Sequence, residues 1–272
     1  METVKSLERG LDVLDALVAL GSGTVRAVAR RAGLTQQATY RCLESLRHKG
    51  FAHRNSYREP YRATALHLNW CARLPPEIVL MDAARAPMAE LTRRLKWPAV
   101  LTAVGDLNLR ILETTDHLPG RHRGQKGMRR LSHGASVAFF ERPSWALYQA
   151  GLTPERARAL FREVVARHGA QLFVRDQDFH DMLLARIRTR GYVVFEPLRG
   201  PESSVAVPLR VLGGQFFGLE LRFIAADVKT AAIKAEFVPA LKGAAHAIAA
   251  AAAPGLAAGA TLAAAVDARP TS

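Results

Sequence analysis

The sequence predicts an α+β protein in which a small helical domain precedes a larger domain built on an antiparallel sheet. Two observations support this order. Residues 4–49 contain three segments with apolar residues at helical spacing, separated by glycines. From residue 97 onward, short apolar runs typical of strands alternate with helical segments, without strict βαβ repetition. A length of 272 residues with 49% hydrophobic residues is sufficient for two globular domains.

The stretch from 24 to 62 predicts two short helices followed by a β-hairpin. Thr24 and Thr35 are residue types that cap helices, each precedes an amphipathic segment, and Gly33 lies between the two segments. Two short helices joined by a glycine-containing turn are typical of a helix-turn-helix, whose second helix can enter the DNA major groove. After Gly50, the sequence FAHRNSYREPYRAT predicts two strands around a polar turn, which would form a wing.

The same stretch carries about half of the net positive charge of the chain. It holds nine Lys and Arg against two acids, about +7 of the formal +14. This pattern predicts phosphate contacts and base recognition on double-stranded DNA, with a solvated basic face as the alternative. The residues predicted to contact DNA are Arg26, Gln36, Gln37, Tyr40, Arg41 and Lys49 on or beside the helices, and His53, Arg54, Tyr57, Arg58 and Arg62 on the wing.

Other classes of protein find little support in the sequence. Two cysteines, Cys42 and Cys71, provide neither a disulfide framework nor a metal-ligand spacing. The start of the chain lacks the apolar segment of a signal peptide, and no run of about 18 apolar residues occurs, so we expect a cytoplasmic protein without a membrane partner. No G-x-S-x-G elbow, paired-carboxylate pattern or phosphate-binding loop is present. We therefore expect no enzyme activity, no cofactor and no metal.

The sequence divides into four predicted regions. These are a winged helix-turn-helix domain over 1–68, linker helices over 69–96, the larger domain over 97–253 and an Ala/Gly-rich flexible tail over 254–272. The linker helix at 77–95 either lies along a dimer axis or covers the downstream sheet, and the sequence leaves both alternatives open.

Individual helices are predicted from caps and apolar stripes. The first helix covers 4–20, with Ser6 as its cap and an inward stripe formed by Leu7, Leu11, Leu14, Leu17 and Val18. A helix is predicted over 152–168, with Thr153 as its cap and Pro154 at its first position, and a further helix covers 177–190. The inward side of that last helix is predicted to contain Phe179, Met182, Leu183 and Ile187.

The chain resembles the IclR family of bacterial transcriptional regulators over residues 1–251. The resemblance rests on VKSLERGLDVLDAL at the start, VRAVARRAGLTQQATYRCLESLRHKGF in the middle, IRTRGY at 187–192 and SVAVPL at 204–209. It implies a winged helix that binds a palindromic operator as a homodimer or a dimer of dimers. It also implies a GAF-like C-terminal domain that binds a small organic acid. The segment WPAVLTAVGDLNLRILETT is most similar to a subgroup of activators of aromatic-acid catabolism.

Site residues follow from this resemblance position by position. It adds Thr35 and Thr39 to the DNA-binding set, and it implies an effector site at Ser132, Gly134, Ala135, Ser204, Glu220 and Arg222. Glu220 and Arg222 stand where some members of the family have small hydroxyl residues that line the ligand site. A Glu and an Arg there would fill the site, for example as an ion pair, or recognise a different ligand.

Two hypotheses about function follow. The first is a sequence-specific DNA-binding regulator controlled by a small organic acid, aromatic in the subgroup interpretation. The second is a constitutive DNA-binding and oligomerising regulator whose effector domain no longer binds a ligand.

Overall fold

A computed structural model of the protein describes residues 3–67, 75–105, 107–120, 127–168, 177–196, 200–211 and 215–267. The chain divides into two compact units, one formed by Met1–Leu74 with Thr261–Ser272 and the other by Pro75–Ala260. Within the described part of the chain, no helix has both the length and the apolar character needed to cross a membrane.

The first unit is a three-helix domain with a small sheet. Its elements are α1 (Lys5–Leu20), β1 (Ser22–Gly23), α2 (Val25–Ala32), α3 (Gln36–His48), β2 (Ala52–His53) and β3 (Tyr61–Ala63). The three strands pair antiparallel in the order β1-β3-β2. Thr24 Oγ1 accepts a hydrogen bond from Ala27 N, and Thr35 Oγ1 accepts one from Ala38 N, both at 3.3 Å. Both predicted caps and the helix-turn-helix with its wing are confirmed.

The predicted apolar stripe of α1 is confirmed for Leu17 but wrong for Leu7, Leu11 and Val18, because these residues divide between two faces of the helix. The core side contains Val13, Ala16 and Leu17. Leu7 and Leu11, in contrast, are 62% and 56% exposed. Two adjacent apolar rows run along this helix, and a helical period does not indicate which row meets the core. Ser6 is not the cap either, since α1 starts after Val4 without a side-chain cap.

The second unit is built on a six-stranded antiparallel sheet. Its strands are β4 (Ala99–Val104), β5 (Asn108–Thr114), β6 (Ser136–Ala138), β7 (Val193–Phe195), β8 (Glu202–Arg210) and β9 (Phe216–Ile224), in the order β6-β5-β4-β9-β8-β7. Its main helices are α4 (Pro76–Leu95), α5 (Ser144–Ala150), α6 (Pro154–His168), α7 (Gln177–Arg190) and α8 (Val238–Asp267), of which residues 238–260 belong to this unit. The hairpin predicted at 97–115 and the α+β class are confirmed.

Helices cover both faces of this sheet. On one face, Met88 of α4 and Leu241 of α8 pack with Leu219 of β9 in a single apolar cluster. The helix predicted at 77–95 therefore covers the downstream sheet. On the other face, α5, α6 and α7 contribute Trp145, Phe161 and Leu184 to a second cluster. Because side chains alternate along a strand, the β9 residues Glu220 and Arg222 lie on this second face.

The C-terminal region is helical further than expected. The predicted tail from Pro254 is helical over residues 254–267, which continue α8 to Asp267. The alanines in this segment have the highest helix propensity, and the exposed Pro254 removes only one helical hydrogen bond. Residues 268–272 lie outside the described residues, as do residues 68–74, where the predicted linker helices begin.

His180 occupies the buried side of α7, where Phe179 and Met182 were expected; both of these are about half exposed. Its ring stacks between those of Trp145 and Phe161, with centroid distances of 6.0 and 4.3 Å. Its Nε2 donates to Gln149 Oε1, so the ring is assigned as the Nε2–H tautomer. Burial lowers the pKa of His180 below its ordinary value, against the opposing effect of the Asp181 carboxylate.

We predict that His180 makes the stability of the second unit depend on pH. Because its pKa is lower in the folded state, the unfolded chain takes up the proton first, and stability falls as the pH decreases below about 6.5. His180→Gln, which keeps an N–H donor but does not titrate, should flatten the decrease in unfolding free energy between pH 7 and pH 5 in urea titrations. The exposed His48→Gln should retain the wild-type slope. An unchanged slope in His180→Gln would exclude His180 as its source.

Candidate functional site

The recognition helix α3 presents most of the predicted base-contacting residues to solvent. Gln36, Gln37, Tyr40 and Arg41 are exposed along it, and Lys49 is exposed at its end. Further exposed side chains lie on α2, in the last turn of α3 and on the wing: Arg26, Arg47, His53, Tyr57, Arg58 and Arg62. The structure therefore brings one set of hydrogen-bonding groups and one set of cations to the surface of a single small domain.

Thr39 must be removed from the predicted DNA-binding set. Its side chain is completely buried, since it precedes the buried Leu43 by one helical turn and shares its face. Thr35 is exposed, but its hydroxyl oxygen caps α3 through the bond from Ala38 N. The structural role of Thr35 is therefore to cap the N-terminus of the recognition helix.

Glu44, to which the sequence assigned no role, connects the recognition helix to the wing. Its carboxylate accepts hydrogen bonds from Arg47 Nη2 at 2.9 Å, Arg54 Nη2 at 2.7 Å and the Tyr61 hydroxyl at 2.5 Å. The bond from Arg47 and then the bond from Tyr61 lower the pKa of Glu44 below its ordinary value. Burial, followed by the same bond to Glu44, raises the pKa of Tyr61. The carboxylate therefore stays ionised beside a neutral phenol.

Arg54 was predicted to contact DNA, but the structure gives its side chain a structural role instead. Its side chain is only 8% exposed, and its guanidinium lies 4.4 and 4.5 Å from the ring centroids of Tyr57 and Tyr61. The ring centroid of Tyr40, on α3, lies 5.7 Å from the same guanidinium. Because Arg54 is surrounded by aromatic rings and paired with Glu44, it holds the wing against α3 and is not free to reach a phosphate.

The predicted effector residues do not form one site. Ser204, Glu220 and Arg222 are buried on β8 and β9, where Ser204 is paired with Arg222 across the two strands. Ser132 and Gly134 instead lie on an exposed turn, which is bonded to β5 through Gly134 N and Ile111 O at 2.8 Å. Ala135, half-buried, belongs to the same turn.

Glu220 is fully buried and bound by two groups that sequence reasoning missed. Its Oε2 accepts from Arg142 Nε at 3.0 Å and from Arg142 Nη2 at 2.7 Å. Its Oε1 accepts from Ser144 Oγ at 2.5 Å, and that hydroxyl accepts from Thr102 Oγ1 at 2.7 Å. Arg142 and Ser144 stand at the start of α5, so this helix is joined to the middle of the sheet.

Arg222 is bound in the same way by two further carboxylates. Its Nη1 donates to both oxygens of Asp116 at 2.8 Å, and its Nε and Nη2 donate to the oxygens of Glu202 at 2.7 and 2.9 Å. Nη2 also donates to the backbone oxygen of Arg129. Glu202 accepts one more bond from Arg142 Nη1 at 3.0 Å, and thus bridges the two arginines.

We call these five residues the buried ion network: Asp116, Arg142, Glu202, Glu220 and Arg222. It contains three acids and two arginines. Burial alone would raise the pKa of Glu202, but the hydrogen bonds and charges of Arg222 and Arg142 lower it below its ordinary value. For Arg142, burial alone would lower the pKa, but the carboxylates of Glu220 and Glu202 raise it above its ordinary value. Glu202 and Arg142 therefore keep their charges despite burial, because each is paired with opposite charges in the network.

The described residues show no other clear chemical centre. Among them, no group of three or more His, Cys, Asp or Glu is placed to hold a metal ion. Cys42 is a free thiol, half-buried beside the core of the first unit, and Cys71 lies outside the described residues.

Comparison with known proteins identifies the first unit. Residues 6–56 match the model of the IclR helix-turn-helix domain. A search of the curated proteins gives no match.

Solved structures extend the comparison to the whole fold. An IclR homologue from Microbacterium sp. strain HM58-2 is 19% identical with a TM-score of 0.61, over 90% of this chain and 96% of its own. The IclR of Thermotoga maritima is 18% identical with a TM-score of 0.52, over 90% and 97%. An IclR homologue from Microbacterium hydrocarbonoxydans, complexed with 4-hydroxybenzoate, is 20% identical with a TM-score of 0.52, over 91% and 98%.

These findings define the class of protein. The fold is that of IclR transcriptional regulators, and the exposed recognition helix belongs to a DNA-binding domain. The protein is a DNA-binding transcriptional regulator whose N-terminal domain is a helix-turn-helix domain of the IclR type.

We predict that Glu44 stabilises the first unit through the wing. Glu44→Ala leaves the guanidinium of Arg54 and the hydroxyl of Tyr61 without their acceptor, and should lower the free energy of unfolding by about 1–2 kcal/mol in urea titrations. Glu59→Ala removes an equal charge from the exposed wing turn and should change the stability by less than about 0.5 kcal/mol. Equal effects of the two substitutions would contradict a structural role for Glu44.

Proposed function

We propose that the protein reads a specific double-stranded operator through the exposed face of α3. Base discrimination is assigned to Gln36, Gln37, Tyr40 and Arg41, because glutamine and arginine side chains can pair with base edges in the major groove. Phosphate contacts are assigned to exposed cations around this helix: Arg26, Lys49, Arg58 and Arg62. The observation that carries the proposal is the exposure of both sets on one helix-turn-helix unit. Since DNA is the partner, we place the protein in the cytoplasm.

We further propose that α1 joins two copies of the first unit. Along its outer face, exposed or half-buried apolar residues recur at alternating spacings of three and four: Val4, Leu7, Leu11, Leu14 and Val18. This is the spacing of a seam between two helices, and a second copy of α1 carries the complementary row. A homodimer of this kind would place two recognition helices on the two halves of a palindrome. A dimer of dimers would require an additional interface elsewhere.

The two candidate functions, a regulator controlled by an organic acid and a constitutive regulator, differ in whether an effector binds the second unit. The Microbacterium hydrocarbonoxydans homologue binds 4-hydroxybenzoate, which supports a small, aromatic organic acid as effector for this chain also. The buried ion network favours the second candidate, a constitutive regulator. Glu220 and Arg222, at two of the predicted ligand positions, are 0% and 1% exposed and already have charged partners. We propose that this position does not receive an external acid.

We predict that Arg41→Ala removes sequence preference rather than general DNA affinity. One bidentate contact to a base contributes ~1–3 kcal/mol of discrimination, so the preference for operator over random DNA should fall at least about fivefold. An operator selected from a random duplex pool and fluorescence anisotropy at several salt concentrations measure both quantities. Arg58→Ala is the matched control, because loss of a phosphate contact weakens both DNAs equally and lowers the salt dependence. If Arg41→Ala behaves like Arg58→Ala, Arg41 contacts a phosphate.

We predict that Leu11→Glu uncouples the two halves of the operator. A charge in the α1 seam disfavours pairing of the first units, so the affinity advantage of a full palindrome over a single half-site should decrease by about tenfold or more. Met182→Glu, a similarly exposed apolar position on α7, serves as the control and should leave this advantage intact. Gel-shift titrations with full and half operators measure the ratio. A ratio that is unchanged in Leu11→Glu would place the dimer contact elsewhere.

A further inference from the structure

Glu202 is held as a bound carboxylate would be held. Its Oε1 accepts from Arg142 Nη1 at 3.0 Å and from Arg222 Nε at 2.7 Å, while its Oε2 accepts from Arg222 Nη2 at 2.9 Å. The contact with Arg222 is the bidentate pairing by which arginine recognises carboxylates, and the second arginine closes the other side. Two guanidinium groups from different parts of the chain thus converge on one carboxylate.

The other four members of the network remain in ion pairs without Glu202. Arg142 keeps Glu220 through its Nε and Nη2, and Arg222 keeps Asp116 through its Nη1. Without Glu202, two arginines and two acids would remain. Charge would then balance, but Arg142 Nη1 and Arg222 Nε would have lost their acceptor, and buried donors without an acceptor favour binding of an anion.

Glu202 is also the member of the network nearest to solvent. It begins β8, and its side chain is 16% exposed, compared with 9% for Arg142, 4% for Asp116 and 1% for Arg222. The position that its carboxylate fills is therefore open to the outside on one side and bounded by buried charged groups on the other.

From this geometry we propose that Arg142 and Arg222 form a binding site for a small monocarboxylate, and that Glu202 of the same chain is its built-in occupant. The proposal rests on the constitutive form of the proposed function and gives it a physical cause. An external acid at this position would be a fourth carboxylate against two arginines. The chain thus carries its own ligand, and the second unit keeps its liganded arrangement without an effector.

The test removes the occupant and supplies it again as a separate molecule. Glu202→Ala deletes one methylene and the carboxylate, a fragment equivalent to acetate. The thermal midpoint of this variant should be lower than that of the wild type in sodium chloride. Sodium acetate at the same ionic strength should restore most of the loss, because it returns the acceptor to both arginines. Benzoate is too large for the vacated volume and should restore less.

Two controls separate site binding from a general effect of the salt. The wild type and Glu196→Ala, which lacks an exposed acid of the same unit, should show the same small difference between acetate and chloride. Glu202→Gln keeps the volume filled by an amide and should not respond to acetate. If Glu202→Ala is unfolded in chloride, the yield of folded protein after dilution from urea into acetate or chloride gives the same comparison.

The proposal is overturned if acetate restores neither the midpoint nor the refolding yield of Glu202→Ala. It is equally overturned if acetate stabilises the wild type and Glu196→Ala to the same extent as Glu202→Ala. Neither measurement contains DNA, so failure here leaves the operator proposal intact. Conversely, loss of operator binding in Arg41→Ala or Leu11→Glu says nothing against the built-in carboxylate.

Discussion

The second unit depends on the requirement that a buried charge be paired. Arg142 and Arg222 are almost completely removed from water, and an unpaired guanidinium there would be strongly destabilising. Their carboxylate partners come from distant places in the chain: the end of β5 and the strands β8 and β9. Since Arg142 lies at the start of α5, pairing also determines how this helix meets the sheet. The network therefore specifies a tertiary arrangement that apolar packing alone would leave less well defined.

The same requirement appears in the first unit on a smaller scale. Glu44 is an acid on a helix that otherwise presents hydrogen-bonding and cationic groups. Its charge is balanced by Arg47 and Arg54, so it does not add an unpaired negative charge beside DNA. Its third bond, from Tyr61, reaches β3 of the wing. A single carboxylate thereby sets the wing relative to the recognition helix.

These two sets of ion pairs have different consequences for function. The Glu44 contacts lie beside an exposed surface and support the groups that meet DNA. The buried ion network occupies the place where an effector was expected, and its donors already have acceptors. A ligand can shift an equilibrium only by the difference in its affinity for two states. Every guanidinium nitrogen of Arg142 and Arg222 already donates to an acceptor, so an added carboxylate would have to compete with these bonds. This supports a regulator whose second unit maintains structure rather than senses an acid.

The sequence by itself determined the local features of this protein. Helix caps at Thr24 and Thr35, the hairpin of β4 and β5 and the bounds of α7 depend on neighbouring residues, so they could be predicted from spacing and residue type. Predictions about which side of a helix is buried were less successful, as Leu11 and Phe179 show, because the burying partner belongs to another element.

Only the tertiary structure decided which charged residues meet. Arg222 pairs with Asp116 across 106 positions, and Arg142 pairs with Glu220 across 78. No local pattern marks such partners, because a charged residue that becomes buried cannot be told in the sequence from one that remains exposed to water. Pairing between them arises when strands and helices pack, and the loss of water then makes each contact necessary.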